Sequence, residues 1–479
     1  MNGSTVAWLA GIAGAHTLIA LGVSMHVVLK KRDDRAAAGW MTLVWLSPFV
    51  GATLYWMFGY NRITRRAIRL RGAQGAGKFS RWIAASTLSS GLAGASFRAY
   101  EANLVQRFHQ APWAGGNQVH PLRAGDTAFP AMLLAIGEAK ASVALATYIF
   151  NDDTVGRRFV DALRDAQARG VQVRVLVDGI GALYSFPPIV WCLRRQGVRT
   201  ERFLTSLLPW RMTYLNLRNH RKILVVDGRV GFIGGMNIKR AHVLAESTRW
   251  PTNDMQFRIE GPAVADLMTV FAADWAFTCG ETLSGEPWHP PPLEAAGGTD
   301  LRCLASGPNE EMGSLRRTLL GVLTQVRTRL RIATPYFLPD DEITSLLSVA
   351  ALRGVVVDIV LPEKSNQFYM KWAEAAAFPR LLAAGCRIWL EAPPFDHMKL
   401  AVADNQWALF GSLNWDARSL RLNFEIDTEC VDPALAREFD RLIEAKIARA
   451  SAVTLNALRA HGFARRLRDG FARLFKSFL

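Results

Sequence analysis

The 479-residue sequence has little cysteine and no recognisable metal-binding pattern. Its five cysteines are scattered and lack the spacing of a metal site or a disulfide framework, so they are expected to be reduced thiols. The H-x3-H and H-E-x-x-H patterns of zinc enzymes are also missing. These absences argue against a disulfide-stabilised fold and predict chemistry without a metal or any other cofactor. The cysteines are Cys192, Cys279, Cys303, Cys386 and Cys430.

Negative charge is in deficit, because Lys and Arg total 57 whereas Asp and Glu total 41, for a formal net charge of +16. That excess predicts a polyanionic partner, either a nucleic acid or an anionic membrane. Residues 1–29 and 36–61 contain no charged side chain at all, and each stretch exceeds the roughly 20 residues that cross a bilayer. We therefore predict two N-terminal membrane helices, an anionic phospholipid membrane as the partner, and no nucleic-acid partner.

The second apolar stretch contains Pro48 and has aromatic residues near its ends, which is common where a helix meets the membrane interface. Pro48 leaves two arrangements open, a kinked second helix or a re-entrant hairpin. A cleaved signal peptide is the remaining alternative, and two consecutive apolar stretches argue against it. Five arginines follow within residues 62–71. They favour a multi-pass protein whose catalytic region is cytoplasmic, although the short loop between the stretches is basic too.

One motif occurs twice. Residues 220–237 read HRKILVVDGRVGFIGGMN and residues 397–414 read HMKLAVADNQWALFGSLN, and both fit H-x-K-x4-D-x6-G-[GS]-x-N. Six recurring positions predict two copies of one structural unit and a single active site built from both. The shared positions are His220, Lys222, Asp227, Gly234, Gly235 and Asn237 in the first copy and His397, Lys399, Asp404, Gly411, Ser412 and Asn414 in the second.

Segments typical of strands and helices alternate around each copy of the motif. Residues 142–150 and 171–178 read as buried strands on either side of a helix, and residues 329–337 and 355–362 repeat this pattern. The alternation predicts an α/β fold of two similar sheet domains packed pseudo-symmetrically. The predicted domains are a membrane helix pair (1–61), a basic connector (62–125), a first sheet domain (126–300), a second sheet domain (301–450) and a basic amphipathic tail (451–479).

The residue types of the motif suit a metal-free phosphate site. A His and a Lys two positions apart on a strand point to the same face, and the lysine charges can neutralise a phosphodiester and its transition state. One imidazole can attack phosphorus, while the other protonates the departing alcohol and deprotonates the incoming one. Gly235 and Ser412 are expected to allow close approach to the phosphate, and Asn237 and Asn414 to donate amide hydrogen bonds to it.

Four carboxylates belong to the predicted site. Asp254 and Glu425 follow the two histidines by 34 and 28 residues, and each precedes an apolar strand, so both are expected to hold an imidazole tautomer. Asp227 and Asp404 are assigned to catalysis with the rest of the motif. Because they end their strands and begin turns, a purely structural role is an equal alternative. Strand-end position also places three aromatic residues near the pocket, namely Tyr148, Tyr336 and Phe337.

Two segments outside the motifs are unusually apolar. From Gly197 to His220 is 23 residues and from Gly385 to His397 is 12, so the first half has an excess of 11, which falls within 205–219. We interpret this apolar loop either as a lipid-facing lid or as a packed surface loop. The C-terminal tail predicts an amphipathic helix on an anionic membrane, with packing against the protein body as the alternative. The tail's apolar stripe is Leu467, Phe471, Leu474, Phe475 and Phe478.

The paired H-x-K-x4-D motif resembles that of the phospholipase D superfamily, and within it the chain is similar to bacterial cardiolipin synthases. The resemblance rests on the apolar N-terminal stretches, both motifs with their downstream asparagines, the segment TPYFLPDDEI and the basic tail. It implies two phospholipase D-like domains. It also implies that the protein belongs to the bacterial inner membrane. Gly235 departs from the Gly-Ser that is common in the family, which removes a hydroxyl but keeps the backbone amide.

The activity implied by the resemblance is transfer rather than hydrolysis. A phosphatidyl group from one phosphatidylglycerol would be held on a histidine and passed to the glycerol hydroxyl of a second one. The products would be cardiolipin and glycerol, with no nucleotide and no metal. By the same resemblance His220 is the nucleophile and His397 the general acid and base.

Related activities fit the same motifs. A hydrolase would use the same residues with water as acceptor, and a synthase using phosphatidylethanolamine as co-substrate is a second variant. A nuclease of the superfamily would explain the charge but not the apolar N-terminal stretches. A membrane scaffold with a degenerate site would share the fold, and two intact motifs argue against it. The sequence leaves oligomeric state and acyl-chain preference open.

Overall fold

The computed structural model describes most of the chain as two compact units. The described residues are 3–31, 34–59, 113–204, 217–246, 249–307, 314–474 and 476. The smaller unit consists of residues 1–69 and 206–216, and the larger unit of residues 70–205 and 217–479. Most of the predicted connector and nearly all of the predicted lid lie outside the described residues.

The smaller unit contains three consecutive helices, α1 (Gly3–Lys30), α2 (Asp34–Leu46) and α3 (Pro48–Leu54), and a π-helical turn at Tyr55–Gly59. Among the described residues, one helical segment, Ala10–Lys30, is long and apolar enough to cross a membrane. The second predicted membrane helix is not confirmed as a single span. Ser47 leaves the helical conformation and the helix restarts at Pro48, because proline lacks an amide hydrogen and disfavours the helical conformation in the residue before it.

The helices of the smaller unit pack on one another. Val27, Val44 and Tyr55 are buried together between them. Two polar contacts cross the same interface: His26 Nδ1 lies 2.7 Å from the Tyr55 hydroxyl, and Trp45 Nε1 donates to Ser24 Oγ at 3.1 Å. The N-terminal stretch therefore folds back on itself, as a helix pair would.

The larger unit has two halves and is built on one fifteen-stranded sheet. Its first half contains β1 (Ala114–Arg123), α4 (Ala124–Glu138), β2 (Ser142–Thr147), α5 (Thr154–Ala168), β3 (Gln172–Asp178), α6 (Ile189–Arg195), β4 (Thr200–Phe203), β5 (Ile223–Val226), β6 (Val230–Gly234), β7 (Thr252–Asn253), β8 (Met255–Glu260) and α7 (Val264–Cys279).

The second half contains β9 (Thr299–Ser306), α8 (Ser314–Gln325), β10 (Arg329–Ala333), β11 (Phe337–Leu338), α9 (Asp341–Leu352), β12 (Val356–Pro362), α10 (Phe368–Ala383), β13 (Arg387–Glu391), β14 (Phe395–Asp396), β15 (Leu400–Ala403), β16 (Trp407–Gly411), β17 (Trp415–Asp416), α11 (Ala417–Arg421), β18 (Glu425–Val431), α12 (Pro433–Ile447) and β19 (Ala450–Ala452). The tail adds α13 (Leu455–Arg459) and α14 (Phe463–Leu474).

The strand order shows that the two halves are copies. The order β19-β13-β12-β10-β15-β16-β18-β9-β1-β8-β6-β5-β2-β3-β4 repeats the same arrangement outward from the junction of β1 and β9. In both halves the strand that follows the motif lysine, β5 or β15, pairs antiparallel with the first strand of the predicted strand–helix–strand unit, β2 or β10. Each half has its own apolar core against the helices. The predicted duplicated α/β fold is confirmed.

The junction strand corrects one predicted boundary. We placed residues 62–125 in a connector, but β1 pairs antiparallel with both β8 and β9. It lies at the centre of the continuous sheet and joins the halves. The first sheet domain therefore begins by Ala114 rather than at residue 126.

Candidate active site

The two motif histidines are positioned by hydrogen bonds that run between the halves. The His220 amide donates to the carbonyl of Phe424 at 2.9 Å, and the His397 amide donates to the carbonyl of Asn253 at 2.7 Å. Asn219 forms a parallel bridge with Phe424, and β14 pairs with β7 in the same way just before His397. Each histidine is thus tied to the residue that precedes the predicted carboxylate of the other half.

As a result, each imidazole is hydrogen bonded to a carboxylate that belongs to the opposite half. His220 Nδ1 lies 2.9 Å from Glu425 Oε2, and His397 Nδ1 lies 2.8 Å from Asp254 Oδ2. A carboxylate acceptor favours the tautomer with its hydrogen on Nδ1, which leaves the lone pair of Nε2 for chemistry. The sequence identified both carboxylates but gave no indication that each holds the histidine of the opposite half.

The two motif lysines are buried beside the histidines. Each Nζ donates to the carbonyl of its own motif histidine at 2.5 Å, and Lys399 Nζ also lies 2.9 Å from His397 Nδ1. Burial lowers the pKa of Lys222 to about 7 and that of Lys399 to about 8. Repulsion from Lys399 contributes to the shift of Lys222, whereas Glu425 opposes it. A bound phosphodiester anion would raise both pKa values, so phosphate binding and full lysine charge stabilise each other.

The two histidine–carboxylate pairs are electrostatically unequal. Burial lowers the pKa of both imidazoles, and Lys399 adds to this effect at His397. Burial works to raise the pKa of Glu425, but His220 and Lys222 outweigh it and hold that pKa below its ordinary value. Burial raises the pKa of Asp254. The surroundings therefore favour the ionised form of Glu425 and disfavour that of Asp254.

Gly235 and Ser412 account for part of that inequality. The Ser412 hydroxyl donates to Glu425 Oε2 at 2.6 Å. A Cβ atom at Gly235 would lie 2.7 Å from Asp254 Oδ1 and 3.1 Å from Lys399 Nζ. The close approach that this glycine permits is therefore to the carboxylate and lysine of the site, and Asp254 has no hydroxyl donor from this position.

The motif asparagines are buried at equivalent positions. Asn237 Oδ1 accepts from the Ile149 amide at 3.0 Å, which fixes the side chain at the end of the β2 segment. Asn414 Nδ2 lies 3.4 Å from Ser419 Oγ. These contacts position both side chains, and their amide contact with a phosphate stays a prediction.

Asp227 and Asp404 occupy the far ends of their strands from the histidines. The Asp227 carboxylate accepts hydrogen bonds from the backbone amides of residues 140–142. Asp404 does the same for residues 327–329, and these bonds hold its pKa below the ordinary value although burial works against them. The oxygens of both residues are occupied by the turns that begin β2 and β10, which favours the structural alternative, and their catalytic role stays a prediction.

Aromatic rings stand against both imidazoles, as strand-end position predicted. The ring of Tyr148 lies 5.2 Å from that of His220, and the ring of Tyr336 lies 6.2 Å from that of His397. Phe337 is instead stacked on Trp415 at 6.3 Å. The two tyrosine rings therefore form a wall beside the two imidazoles.

Sequence reasoning missed Arg221, the residue between His220 and Lys222. It is almost fully buried and donates to Asp274 at 2.6 Å, to the Glu425 carbonyl at 3.0 Å and to the Ser306 carbonyl at 2.8 Å. Strand periodicity points it away from the face of the motif pair, and a charged residue at that position was the available signal. The Arg221 side chain therefore ties the residue that follows His220 to the backbone of Glu425.

His242 was also missed. Its ring is fully buried 6.5 Å from that of His397, and nothing in its sequence context indicated this. Among the described residues, no group of three or more His, Cys, Asp or Glu side chains is placed to hold a metal ion.

Comparison with known proteins identifies the same two halves. The family described as "Cardiolipin synthase, PLD-like domain" matches residues 132–275 and 319–447, once in each half. Cardiolipin synthase 1 of Bacillus anthracis is 29% identical over 491 residues, covering 100% of this chain and 96% of that protein. Cardiolipin synthase A of Pseudomonas fluorescens is 32% identical over 441 residues, covering 90% of each.

Among solved structures, phosphatidylserine synthase of Haemophilus influenzae Rd KW20 matches with a TM-score of 0.62 and 14% identity, covering 80% of this chain and 100% of that one. That likeness shows a shared fold. The duplicated sheet with its paired histidine site is of the phospholipase D-like class. Within that class, the chain belongs to the cardiolipin synthase family, which confirms the resemblance seen in the sequence.

Proposed function

We propose that this protein is a phosphatidyltransferase that joins two phosphatidylglycerol molecules into cardiolipin and releases glycerol. The observation that carries the proposal is the pair of imidazoles, each held by a carboxylate, that share one buried pocket with two lysines. The names of the relatives agree with this activity. The pocket offers two imidazoles for a two-step transfer and two cations for one phosphodiester.

In the first step, His220 Nε2 attacks phosphorus and the bond from phosphorus to the glycerol oxygen breaks. The anionic phosphodiester offsets the lysine charges that add to burial in lowering the pKa of His397, so that His397 takes up a proton on binding and gives it to the departing glycerol. In the second step, His397 takes the proton from the glycerol hydroxyl of the second phosphatidylglycerol. The hydroxyl oxygen bonds to phosphorus, and the electron pair of the phosphorus–nitrogen bond returns to His220. No nucleotide, metal or other cofactor takes part.

The unequal carboxylates support this division of labour. An imidazole that carries a phosphoryl group is cationic, and an ionised carboxylate at its Nδ1 stabilises it. Glu425 is the carboxylate whose pKa lies below the ordinary value, and it holds His220. Asp254, whose pKa is raised by burial, holds the histidine that passes protons.

Purified protein in pure phosphatidylglycerol vesicles with EDTA should form cardiolipin and glycerol in equal amounts. The lipids are separated and quantified, and released glycerol is measured enzymatically. Phosphatidic acid without cardiolipin would reject the transferase in favour of the hydrolase. Activity that disappears with EDTA and returns with a divalent cation would reject the metal-free mechanism. Adding phosphatidylethanolamine to the vesicles tests the co-substrate variant, which predicts release of ethanolamine and a higher yield of cardiolipin per phosphatidylglycerol consumed.

We also propose that the protein is a multi-pass protein of the bacterial inner membrane with a cytoplasmic larger unit. The apolar segment Ala10–Lys30 supports a first span, and α2 with α3 supplies an apolar return that is broken at Pro48. The arginines of residues 62–71 follow this pair, and the positive-inside rule places them in the cytoplasm.

The C-terminal helix supports a second contact with the membrane. In α14, Ala472 packs into a cluster with Tyr336 and Met370, and Arg468 lies 4.5 Å from the ring centroid of Trp372. The opposite face carries exposed apolar side chains, with Leu467 61% and Leu474 73% exposed. In the described part of the tail, one face therefore packs against the protein body, while Leu467, Phe471 and Leu474 are exposed on the other face beside exposed arginines. Phe475 and Phe478 of the predicted stripe lie outside the described residues.

We propose that this stripe enters the surface of the anionic membrane that contains the substrate, next to the pocket wall formed by Tyr336. A Leu467→Ser, Leu474→Ser variant should make cardiolipin about tenfold more slowly in phosphatidylglycerol vesicles, because two apolar side chains are lost from the membrane contact. In detergent micelles the rate should change little. Leu134→Ser, at a leucine 60% exposed on α4, is the matched control. Equal rates for all three proteins in vesicles would contradict the contact.

A further inference from the structure

Asn423 supports the carboxylate that holds His220. Its Nδ2 donates to Glu425 Oε1 at 3.1 Å. The other carboxylate oxygen, Oε2, lies 2.9 Å from His220 Nδ1 and accepts the Ser412 hydroxyl at 2.6 Å. Asn423 and Glu425 are both buried, and hydrogen bonds are electrostatically stronger in a buried site than in water. The side-chain amide of Asn423 therefore holds the carboxylate at the oxygen other than the one that faces the imidazole.

Ser419 connects Asn423 with the motif asparagine Asn414. Both side-chain amides donate to its hydroxyl oxygen, Asn414 Nδ2 at 3.4 Å and Asn423 Nδ2 at 3.5 Å. The hydroxyl itself donates to Asp416 Oδ2 at 3.4 Å. Two accepted bonds and one donated bond use the whole capacity of a serine hydroxyl. These contacts are long, so Ser419 orients the two amides without holding either strongly.

The carboxylate on the other side of the pocket is held differently. Asn253 precedes Asp254, but its Nδ2 donates to Asp396 Oδ2 at 2.7 Å. Asp254 Oδ1 accepts the backbone amide of Met255 at 2.8 Å. Glu425 therefore has a side-chain amide where Asp254 has a backbone amide. A side-chain donor can be removed by substitution without changing the backbone, which makes its contribution measurable.

The residue equivalent to Ser419 in the first copy of the motif also differs. Ser419 follows Asn414 by five residues, and His242 follows Asn237 by the same number. His242 Nδ1 lies 3.2 Å from the carbonyl of Thr252 and so donates to the backbone. Within the described residues, hydrogen bonds link the motif asparagine to the carboxylate of a histidine in the second copy.

Attack by His220 on phosphorus needs Glu425 in its ionised form. The imidazole gains positive charge as Nε2 bonds to phosphorus, and an ionised carboxylate at Nδ1 stabilises that charge. Burial works to raise the pKa of Glu425, whereas His220 and Lys222 lower it. A donor to the ionised carboxylate acts in the same direction as these two groups. Asn423 supplies such a donor and also fixes where the second carboxylate oxygen lies.

We propose that Asn423 is a positioning residue for the transfer reaction, which keeps Glu425 ionised and oriented while His220 attacks phosphorus. This inference rests on the proposed function, with His220 as its nucleophile. Ser419 extends the assignment, because its hydroxyl joins Asn423 to Asn414, the asparagine predicted to donate to the phosphate. Binding of the phosphate and orientation of the carboxylate therefore depend on one shared hydroxyl.

The first turnover with a p-nitrophenol substrate tests this assignment. In that substrate p-nitrophenol replaces glycerol and departs without protonation, so the rate of its release reports attack by His220. Asn423→Leu removes the amide at similar size. It should lower the saturating rate about tenfold or more, the loss expected for a hydrogen bond to a charged group. The acidic limb of the rate should move to higher pH, because loss of the donor raises the pKa of Glu425.

Ser419→Ala separates the two contacts of the hydroxyl. The Ser419 backbone amide, which donates to Asp416 Oδ1 at 2.7 Å, is kept in this variant. The substrate concentration that gives half the saturating rate should rise about threefold, because Asn414 loses an acceptor that orients it. In Asn423→Leu that concentration should stay unchanged. A half-saturating concentration that does not rise in Ser419→Ala overturns the link to Asn414.

Three further variants complete the test. Asn423→Gln keeps an amide and should recover part of the rate and the wild-type acidic limb. Asn456→Leu makes the matched change at an exposed asparagine of α13 and should leave every quantity unchanged. Asn423→Ala lacks the same donor and gives the answer if thermal melting shows that Asn423→Leu does not fold.

The outcome that overturns the role of Asn423 is a slower variant whose acidic limb has not moved, or an unchanged rate in both Asn423→Leu and Asn423→Ala. Cardiolipin formation by the wild-type protein in phosphatidylglycerol vesicles is measured in parallel. Its absence overturns the proposed function, whereas the p-nitrophenol data decide the role of Asn423 by themselves.

Discussion

The His397→Gln variant should stop after one half-reaction, with the phosphatidyl group attached to His220. Because the general base is missing, the incoming glycerol hydroxyl keeps its proton and attacks slowly, and steady-state cardiolipin formation should fall about 10³-fold or more. A substrate with p-nitrophenol in place of glycerol isolates the first step, since its leaving group departs without protonation. This variant should release p-nitrophenolate in a stoichiometric burst and then stall.

His220→Gln is the matched variant and should show no burst with the same substrate, because the nucleophile itself is missing. Mass spectrometry of the peptide containing residues 218–221 should find the added phosphatidyl group in stalled His397→Gln protein. Thermal melting of both variants checks that they are folded. A burst from His220→Gln, with the adduct on the second motif, would reverse the two roles while leaving the proposed reaction intact.

The sequence predicted which residues form the site better than it predicted which of them contact one another. The recurrence of six positions was sufficient for a duplicated α/β fold, and the two-residue spacing of His220 and Lys222 was sufficient to place both in one pocket. Asp254 and Glu425 could be selected because each precedes an apolar strand. These conclusions depend on local periodicity and on residue type, which a single sequence displays directly.

The exchange of partners could not be read from the sequence, because it depends on how the halves meet. β1 pairs with β9 at the centre of the sheet, and this pairing brings Phe424 against Asn219 and Asn253 against Asp396. A register between strands almost two hundred residues apart leaves no periodic signal in either strand. The sequence also left two arrangements open at Pro48, a kinked helix and a re-entrant hairpin. Hydropathy shows how long an apolar stretch is but not whether its helix is continuous.

Asp227 shows why a motif residue need not be a reacting one. Asp227 recurs at a fixed spacing from the motif histidine, as Lys222 does. However, the whole length of β5 lies between Lys222 and Asp227, so Asp227 is at the end of the strand far from the histidine. The carboxylate serves the turn that starts β2. Regular spacing in this motif therefore records the geometry of the strand as well as the chemistry of the pocket.

The exchanged pairing predicts which carboxylate matters in each half-reaction. Glu425→Gln should slow attack by His220 about 10²-fold or more, because an amide neither fixes the Nδ1–H tautomer nor stabilises the cationic imidazole. The effect is measured as the burst rate with the p-nitrophenol substrate in protein that already carries His397→Gln. In that protein Asp254→Asn should add little, because the imidazole that Asp254 holds has been removed and effects within one functional pair are not additive.

Pairing within each half would give the opposite pattern, with Asp254→Asn slowing the burst and Glu425→Gln leaving it unchanged. Asp161→Asn, at an exposed aspartate of α5, controls for the change from carboxylate to amide and should have no effect. Since the burst involves His220 alone, the result assigns its carboxylate without reference to the acceptor lipid. A chain that uses each half's carboxylate to orient the other half's histidine needs both halves for either step, so neither half alone should form the phosphatidyl-enzyme.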